Sequence, residues 1–211
     1  HLAHSNGVGL LPCPSTSLFS DLRENIMAII KGASSRVERL DLGSPAITSN
    51  TSVHAAITDT GSPQTVTTGI TNPDVVRNIN ATAGGTAADI KAIQVVVHGT
   101  NLSGDVISET LPVFTVNTAG TVSGSKAFKT VTSVVIPAHD GTSATTSFGY
   151  GSVVGLGVLL ATDSVVNAYL NSVREATRPT VKVSATAIES NTASLASALD
   201  GNAVLVDYYN S

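Results

Sequence analysis

Tryptophan is missing from the 211 residues, cysteine and methionine occur once each, and aromatic side chains make up only 4% of the chain. A single cysteine, Cys13, excludes an intramolecular disulfide framework and any Cys-rich zinc site, so stability has to come from packing or from partners. Charge is scarce as well. Asp, Glu, Lys and Arg together reach 12%, against roughly 25% in an average soluble domain. A formal net charge of -4 offers no electrostatic footprint for nucleic acid. No apolar run approaches the roughly 20 residues of a membrane-spanning helix. The first residues lack the basic-then-apolar order of a secretory signal, so the expectation is no membrane partner and a cytoplasmic origin.

What is there instead is Ala, Val, Thr, Ser, Gly and Asn in alternation. Apolar or β-branched runs recur as SVHAAIT, QTVTTGI, VVRNINAT, IKAIQVVV, DVISETLPVFTV, KAFKTVTSVVI, GVLLAT, TVKVSATAI and AVLVDYY, separated by turn chemistry such as GSP, NPD, AGG, NLSG, NTAGTVSG, HDG and LDGN. Short strands at regular spacing predict an all-β chain, a β-sandwich or jelly-roll-like antiparallel domain over 27–211. Residues 163–176 fit two readings: a helix with Val166, Tyr169, Leu170 and Val173 on one stripe behind an Asp163 or Ser164 cap, or a strand favoured by the β-branched content. Arg178-Pro179 reads as a joint within the domain or as the start of a small C-terminal subdomain, 178–211. Residues 1–26 stand apart. Either they form an N-terminal arm, with Ser20 capping a short helix that carries Leu22, Ile26, Ile29 and Ile30 on one face and ends at Gly32, or Met27 is the natural start and they are a non-native upstream segment.

The stretch VVVHGTNLSGDVISETL, residues 95–111, brings His98, Asp105 and Glu109 near one turn, as a metal or acid/base site would. Strand register argues against that site, because side chains alternate faces. With the turn at 100–104, Val97 faces Ile107 and Ile93 faces Leu111 on an apolar face, while His98 goes to the other face, opposite Val106 and apart from Glu109. Aligning His98 with Asp105 would set Val97, Val95 and Ile93 against Val106, Ser108 and Thr110, a poorer burial. His98 and the loop residues Asn101, Leu102 and Ser103 are thereby left outward as candidate interface residues. Glu109 stays on the apolar face, where a carboxylate needs a partner or a rim position; Lys91 is the nearest candidate in sequence, and an intersubunit cation would serve equally well.

Other motifs point to no chemistry. His1, His4, His54 and His139 have no metal-binding spacing and are expected exposed or on strand faces. AGGT at 83–86 lacks the Lys-Ser/Thr of a phosphate loop. FGYGSVVGLG at 148–157 has Val154 where a dinucleotide fingerprint needs its third glycine, and its glycines are read as tight turns or as close approach to a neighbouring subunit. No G-x-S-x-G elbow is present. Asn50, Asn80 and Asn101 begin chance matches to the glycosylation pattern. Catalytic residues, metal ligands and cofactors are therefore all expected to be none.

Three segments carry a resemblance: TNPDVVRNINATAGGTAADIKAIQVVVHGTNLSGDVISETLPVF at 71–114, KAFKTVTSVVIPAHDG at 126–141 and RPTVKVSATAIESNTASLASALDGNAVLVDYY at 178–209. They resemble virion structural proteins of tailed bacteriophages, of the kind that accompany the major capsid protein. The resemblance implies a non-enzymatic capsid decoration or cement protein, a homo-oligomer made in the host cytoplasm and located in the virion. Its partners would be the major capsid protein or other virion proteins. Two alternatives are a neck, tail or fibre component that binds a receptor or glycan, which exposed Tyr150, Tyr208 and Tyr209 in a groove would favour, and a hydrolase, which needs a cleft where carboxylates or a histidine converge.

Overall fold

Residues 36–210 are described by a computed structural model; the arm or upstream segment expected over 1–26, with its Ser20-capped helix, lies outside them. In chain order the strands are β1 (Arg36–Asp41), β2 (Ser49–Thr58), β3 (Gln64–Val66), β4 (Arg77–Gly85), β5 (Val96–Thr100), β6 (Val106–Thr110), β7 (Gly120–Phe128), β8 (Thr130–Ile136), β9 (Ala144–Gly155), β10 (Val165–Leu170), β11 (Val173–Arg174), β12 (Thr180–Lys182), β13 (Thr192–Ser194) and β14 (Val204–Asn210). The only helical pieces among the described residues are single 3-10 turns at Ala87–Asp89 and Ile188–Ser190.

Among the described residues the strand pairings are antiparallel, and they form three sheets. One runs β3-β8-β5-β6; a second runs β12-β13-β9-β4-β7, with β2 also paired to β9; a third runs β1-β14-β10-β11. The fold is an antiparallel, sandwich-like all-β architecture. Period-2 alternation explains its main core: Ile79, Ala81 and Ala83 of β4, Phe148 of β9 and Val53 of β2 pack with Val97 of β5, Ile107 of β6 and Val134 and Ile136 of β8. A second cluster joins Val165 and Ala168 of β10 and Val204, Val206 and Tyr208 of β14 to Leu156, Leu160, Ala193 and Leu199. Residues after Pro179 form no sheet of their own, because β12 and β13 extend the second sheet while β14 pairs with β1 and β10.

Segment 163–176 is a strand pair. β10 and β11 close at Leu170↔Val173, and the intervening Asn171 and Ser172 take left-handed φ values of 51° and 64°, the geometry of a two-residue hairpin turn whose twist matches the flanking strands. Asp163 therefore caps no helix: its carboxylate accepts from the Val165 amide and from the Arg178 guanidinium, while Arg178 Nε donates to the Val165 carbonyl at 2.8 Å. The glycine-rich stretch at 148–157 contributes most of its length to β9, the strand shared by β2, β4 and β13. Close approach does occur there, but within the chain. A Cβ on Gly149 would come within 2.8 Å of the Asn50 carbonyl carbon, so only glycine lets β2 lie against β9 at that level.

Buried polar side chains fasten the loops. Arg77 is fully buried: Nε donates to the Gly151 carbonyl at 2.9 Å, Nη1 donates to the Ala46 carbonyl and to Asp74 at 3.0 Å each, and the guanidinium stacks 4.3 Å from the centre of the Tyr150 ring. Asn191, also fully buried, meets every demand of its amide. Its Oδ1 accepts from the Leu160 and Ser184 amides (3.1 and 2.9 Å), and its Nδ2 donates to the Ser184 and Ala187 carbonyls (2.8 and 2.9 Å).

Candidate functional site

The β5–β6 hairpin holds the expected faces in a shifted register. Val97 lies opposite Glu109 and Gly99 opposite Ile107, two residues away from the pairing of Val97 with Ile107. The shift arises at the tip. Asn101 and Asp105 close the hairpin, with the Asn101 amide donating to the Asp105 carbonyl at 3.0 Å and the Asp105 amide to Asn101 Oδ1 at 3.0 Å, so the loop proper is Leu102-Ser103-Gly104. Gly104 has φ +91°, the left-handed residue that ends a three-residue hairpin loop. A two-residue shift preserves parity, so Val95, Val97, Ile107 and Leu111 remain buried. His98 is on the opposite face between Ser108 and Ser133, apart from Asp105 and Glu109.

Glu109 meets backbone amides where a cation was expected. Its carboxylate accepts from the Ser125 amide at 2.7 Å, the Ser125 hydroxyl at 3.0 Å and the Lys126 amide at 3.2 Å, while Lys91 pairs with Asp140 at 3.2 Å. The amides are available because β7 bulges: Asn78↔Ala127 is followed by Asn80↔Ser123, leaving 124–126 out of the ladder with β4. Asn78 Nδ2 holds the other side of the bulge through the Gly124 carbonyl at 2.9 Å. In return Lys126 Nζ donates to the Ser108 carbonyl of β6 at 3.0 Å. Edge strands of two different sheets thus clasp each other, β6 through Glu109 and β7 through Ser125 and Lys126.

Beside the hairpin tip lies an open groove of about 340 Å³. One wall is the tip itself, through Asn101, Ser103, Asp105 and Val106; the other is Thr186–Glu189 with Leu159. Asn191 holds that second wall by its bonds to Leu160, Ser184 and Ala187. At the floor Asn101 Nδ2 donates to Asp105 Oδ2 at 3.2 Å and to Glu189 Oε2 at 3.3 Å, and Lys126 Nζ lies 3.9 Å from Glu189. Aliphatic surface flanks this polar floor: Val106 is 86% exposed and Leu159 54%.

Of the five candidate interface residues, Asn101 and Ser103 line the groove. Leu102 is exposed beside Gly157, His98 belongs to the outer sheet face, and Glu109 belongs to the β6–β7 clasp. Asn101 is only 3% exposed and its side chain is spent on Asp105 and Glu189, so the outward part of the tip is Leu102 to Gly104. Asn80 is buried too, and neither asparagine presents an amide for glycosylation. Sequence reasoning missed Glu189 and Leu159, whose placement beside the hairpin depends on long-range packing that no local pattern encodes.

His139 is buried, where a surface or strand-face position was expected. The Lys91 amide donates to its Nδ1 at 3.1 Å, and Nε2 pairs with Thr146 Oγ1 at 3.1 Å, which defines a neutral ring protonated at Nε2. Burial lowers its pKa below the ordinary 6.5, with Asp59 and Asp140 opposing the shift. Tyr208 is buried and bonded to Glu38, Tyr150 lies against Arg77, and Tyr209 is exposed, so the three tyrosines make no aromatic groove. Among the described residues no three His, Cys, Asp or Glu side chains gather to hold a metal, and no helix is long and apolar enough to cross a membrane. The groove can offer two carboxylates, one carboxamide and aliphatic walls, a set suited to holding a polar or cationic group between apolar neighbours.

With this geometry in hand, comparison with known proteins gives no match to a family model, a curated protein or a solved structure. The class that the fold defines is therefore the antiparallel β-sandwich-like one.

Proposed function

We propose that the chain is a non-enzymatic structural protein of a tailed-bacteriophage virion, a decoration or cement subunit that binds the outer capsid lattice as an oligomer and stabilises it. The observation that carries this reading is the pair Val106 and Leu159, large aliphatic side chains left at 86% and 54% exposure on either side of a groove. Exposed apolar surface beside a concavity is what a protein contact covers. A charge content of 12% supports the same reading, since little charge has to be desolvated when such a surface docks. The physical mechanism is mass action: a subunit that binds the assembled lattice and not its separated parts stabilises the lattice.

The test is to strip the protein from particles and challenge them with heat and osmotic shock. Reduced resistance, restored by adding the purified protein back, is the expected result; unchanged resistance removes the proposal. Imaging the copies in a particle separates this role from a neck, tail or fibre role, because a lattice-wide distribution is expected and a single ring or a few projections would count against it.

A further inference from the structure

Resting on that lattice-binding reading, we propose that the groove at the hairpin tip is the contact itself, and that its occupant is an extended segment of a partner protein carrying a Lys or Arg between aliphatic residues. Charge complementarity selects this occupant. Asp105 and Glu189 converge on one donor, Asn101 Nδ2, and among the described residues Asp105 has no cationic partner, while Glu189 has Lys126 only at 3.9 Å. Two carboxylates with one distant cation leave the floor net negative. An incoming ammonium or guanidinium gains both carboxylates; a phosphate or acidic segment would be repelled.

The walls select the neighbours of that cation. Val106 and Leu159 offer exposed aliphatic surface on opposite sides of the floor, and Ile188 adds to the lining. No aromatic ring lines the groove, so the stacking platform on which sugars commonly rest is not what the site presents. The groove is also pre-organised: Asn101 is pinned by the closing bonds of the loop, and Asn191 holds the opposite wall through the carbonyl of Ala187. Binding therefore costs little ordering on this side of the interface.

Binding of the full chain to particles stripped of it, followed by co-sedimentation, tests the proposal with three variants. Val106→Ser removes an 86% exposed side chain that the fold does not need, Asp105→Lys reverses the floor charge, and Val173→Ser changes a 68% exposed residue at the β10–β11 turn as a control. Val106→Ser and Asp105→Lys are each expected to weaken binding by about tenfold, with Val173→Ser unchanged. The Asp105→Lys defect should shrink as salt is raised to about 0.5 M, because screening weakens the lost attraction and the new repulsion together. Wild-type binding that both groove variants retain overturns the groove assignment and leaves the lattice reading intact. Failure of the wild type to bind overturns both.

Discussion

At the scale of single residues, a carboxamide and an imidazole ring are buried with all their polar atoms bonded. Asn191 serves two amides and two carbonyls from a fully buried position. Asn191→Ala would strand those groups and is expected to cost roughly 3 kcal/mol, read from denaturant unfolding. It should also loosen the 186–189 wall, visible as faster amide exchange at Ser184, whose amide donates to Asn191, and at Ser190, whose amide donates to the Ala187 carbonyl. His139 makes stability depend on pH. Its folded pKa is depressed, so the unfolded chain binds the proton more readily; its contribution is fully present above 6.5 and is lost as pH falls from there through the lower folded value. Unfolding free energy should therefore decline from pH 7.5 to pH 5, with a flatter profile in His139→Gln. Asp207 adds a later step. The Arg39 guanidinium, bonded to it at 2.7 Å, holds its carboxyl below the ordinary 3.8, so that contribution persists above 3.8 and fades only in stronger acid. Such residues were the least legible in the sequence. Nothing in VVRNINAT announces that Arg77 is sealed inside, since its partners Gly151 and Ala46 come from distant segments.

Elements were legible wherever period-2 alternation was strong and the strand had one wet face. SVHAAIT, KAFKTVTSVVI and AVLVDYY contain or overlap strands, and the buried parity of the 95–111 hairpin was readable although its pairing was two residues off. Legibility failed where another requirement overrode the pattern. β9 is shared by three partner strands and needs small residues for close approach, so its glycines imitate turn chemistry. GVLLAT is apolar because it fills the second core as irregular chain, with the Leu160 amide bonded to a side chain in place of a ladder. The hairpin tip gives this scale its prediction. Gly104→Val forces a β-branched residue into φ +91°, and should lower stability by about 1–2 kcal/mol and broaden the loop's NMR signals, whereas Ser103→Ala should leave both unchanged.

For the whole molecule the question is whether two apolar clusters mean two independent units. Phe148 of β9 belongs to the first cluster, and Leu156, which directly follows that strand, belongs to the second. Coupling through one strand favours a single cooperative transition. Ile79→Ala in the first core and Leu199→Ala in the second should each shift one shared transition seen by far-UV circular dichroism; two separated transitions, one per substitution, would mark residues around β10 and β14 as a separate unit. The candidate groove belongs to this scale as well. Its tip was visible in NLSG, while its facing wall arrives from some 80 residues later and could not be read from either segment alone.

The clasp of Glu109 and Lys126 bears on what happens when many copies are crowded together. An unpaired strand edge is a template on which a second chain can add, and crowding turns that templating into fibres or amorphous precipitate. Here the β7 amides are occupied by a carboxylate and a β6 carbonyl by an ammonium group, so recruiting another strand first requires these charged side chains to be displaced. Glu109→Ala would uncover donors on one edge, beside a β6 strand whose Val106 is already exposed. The expected outcome is a chain that still folds but turns cloudy on concentration and binds thioflavin T, while Glu109→Gln, which keeps an acceptor, remains clear.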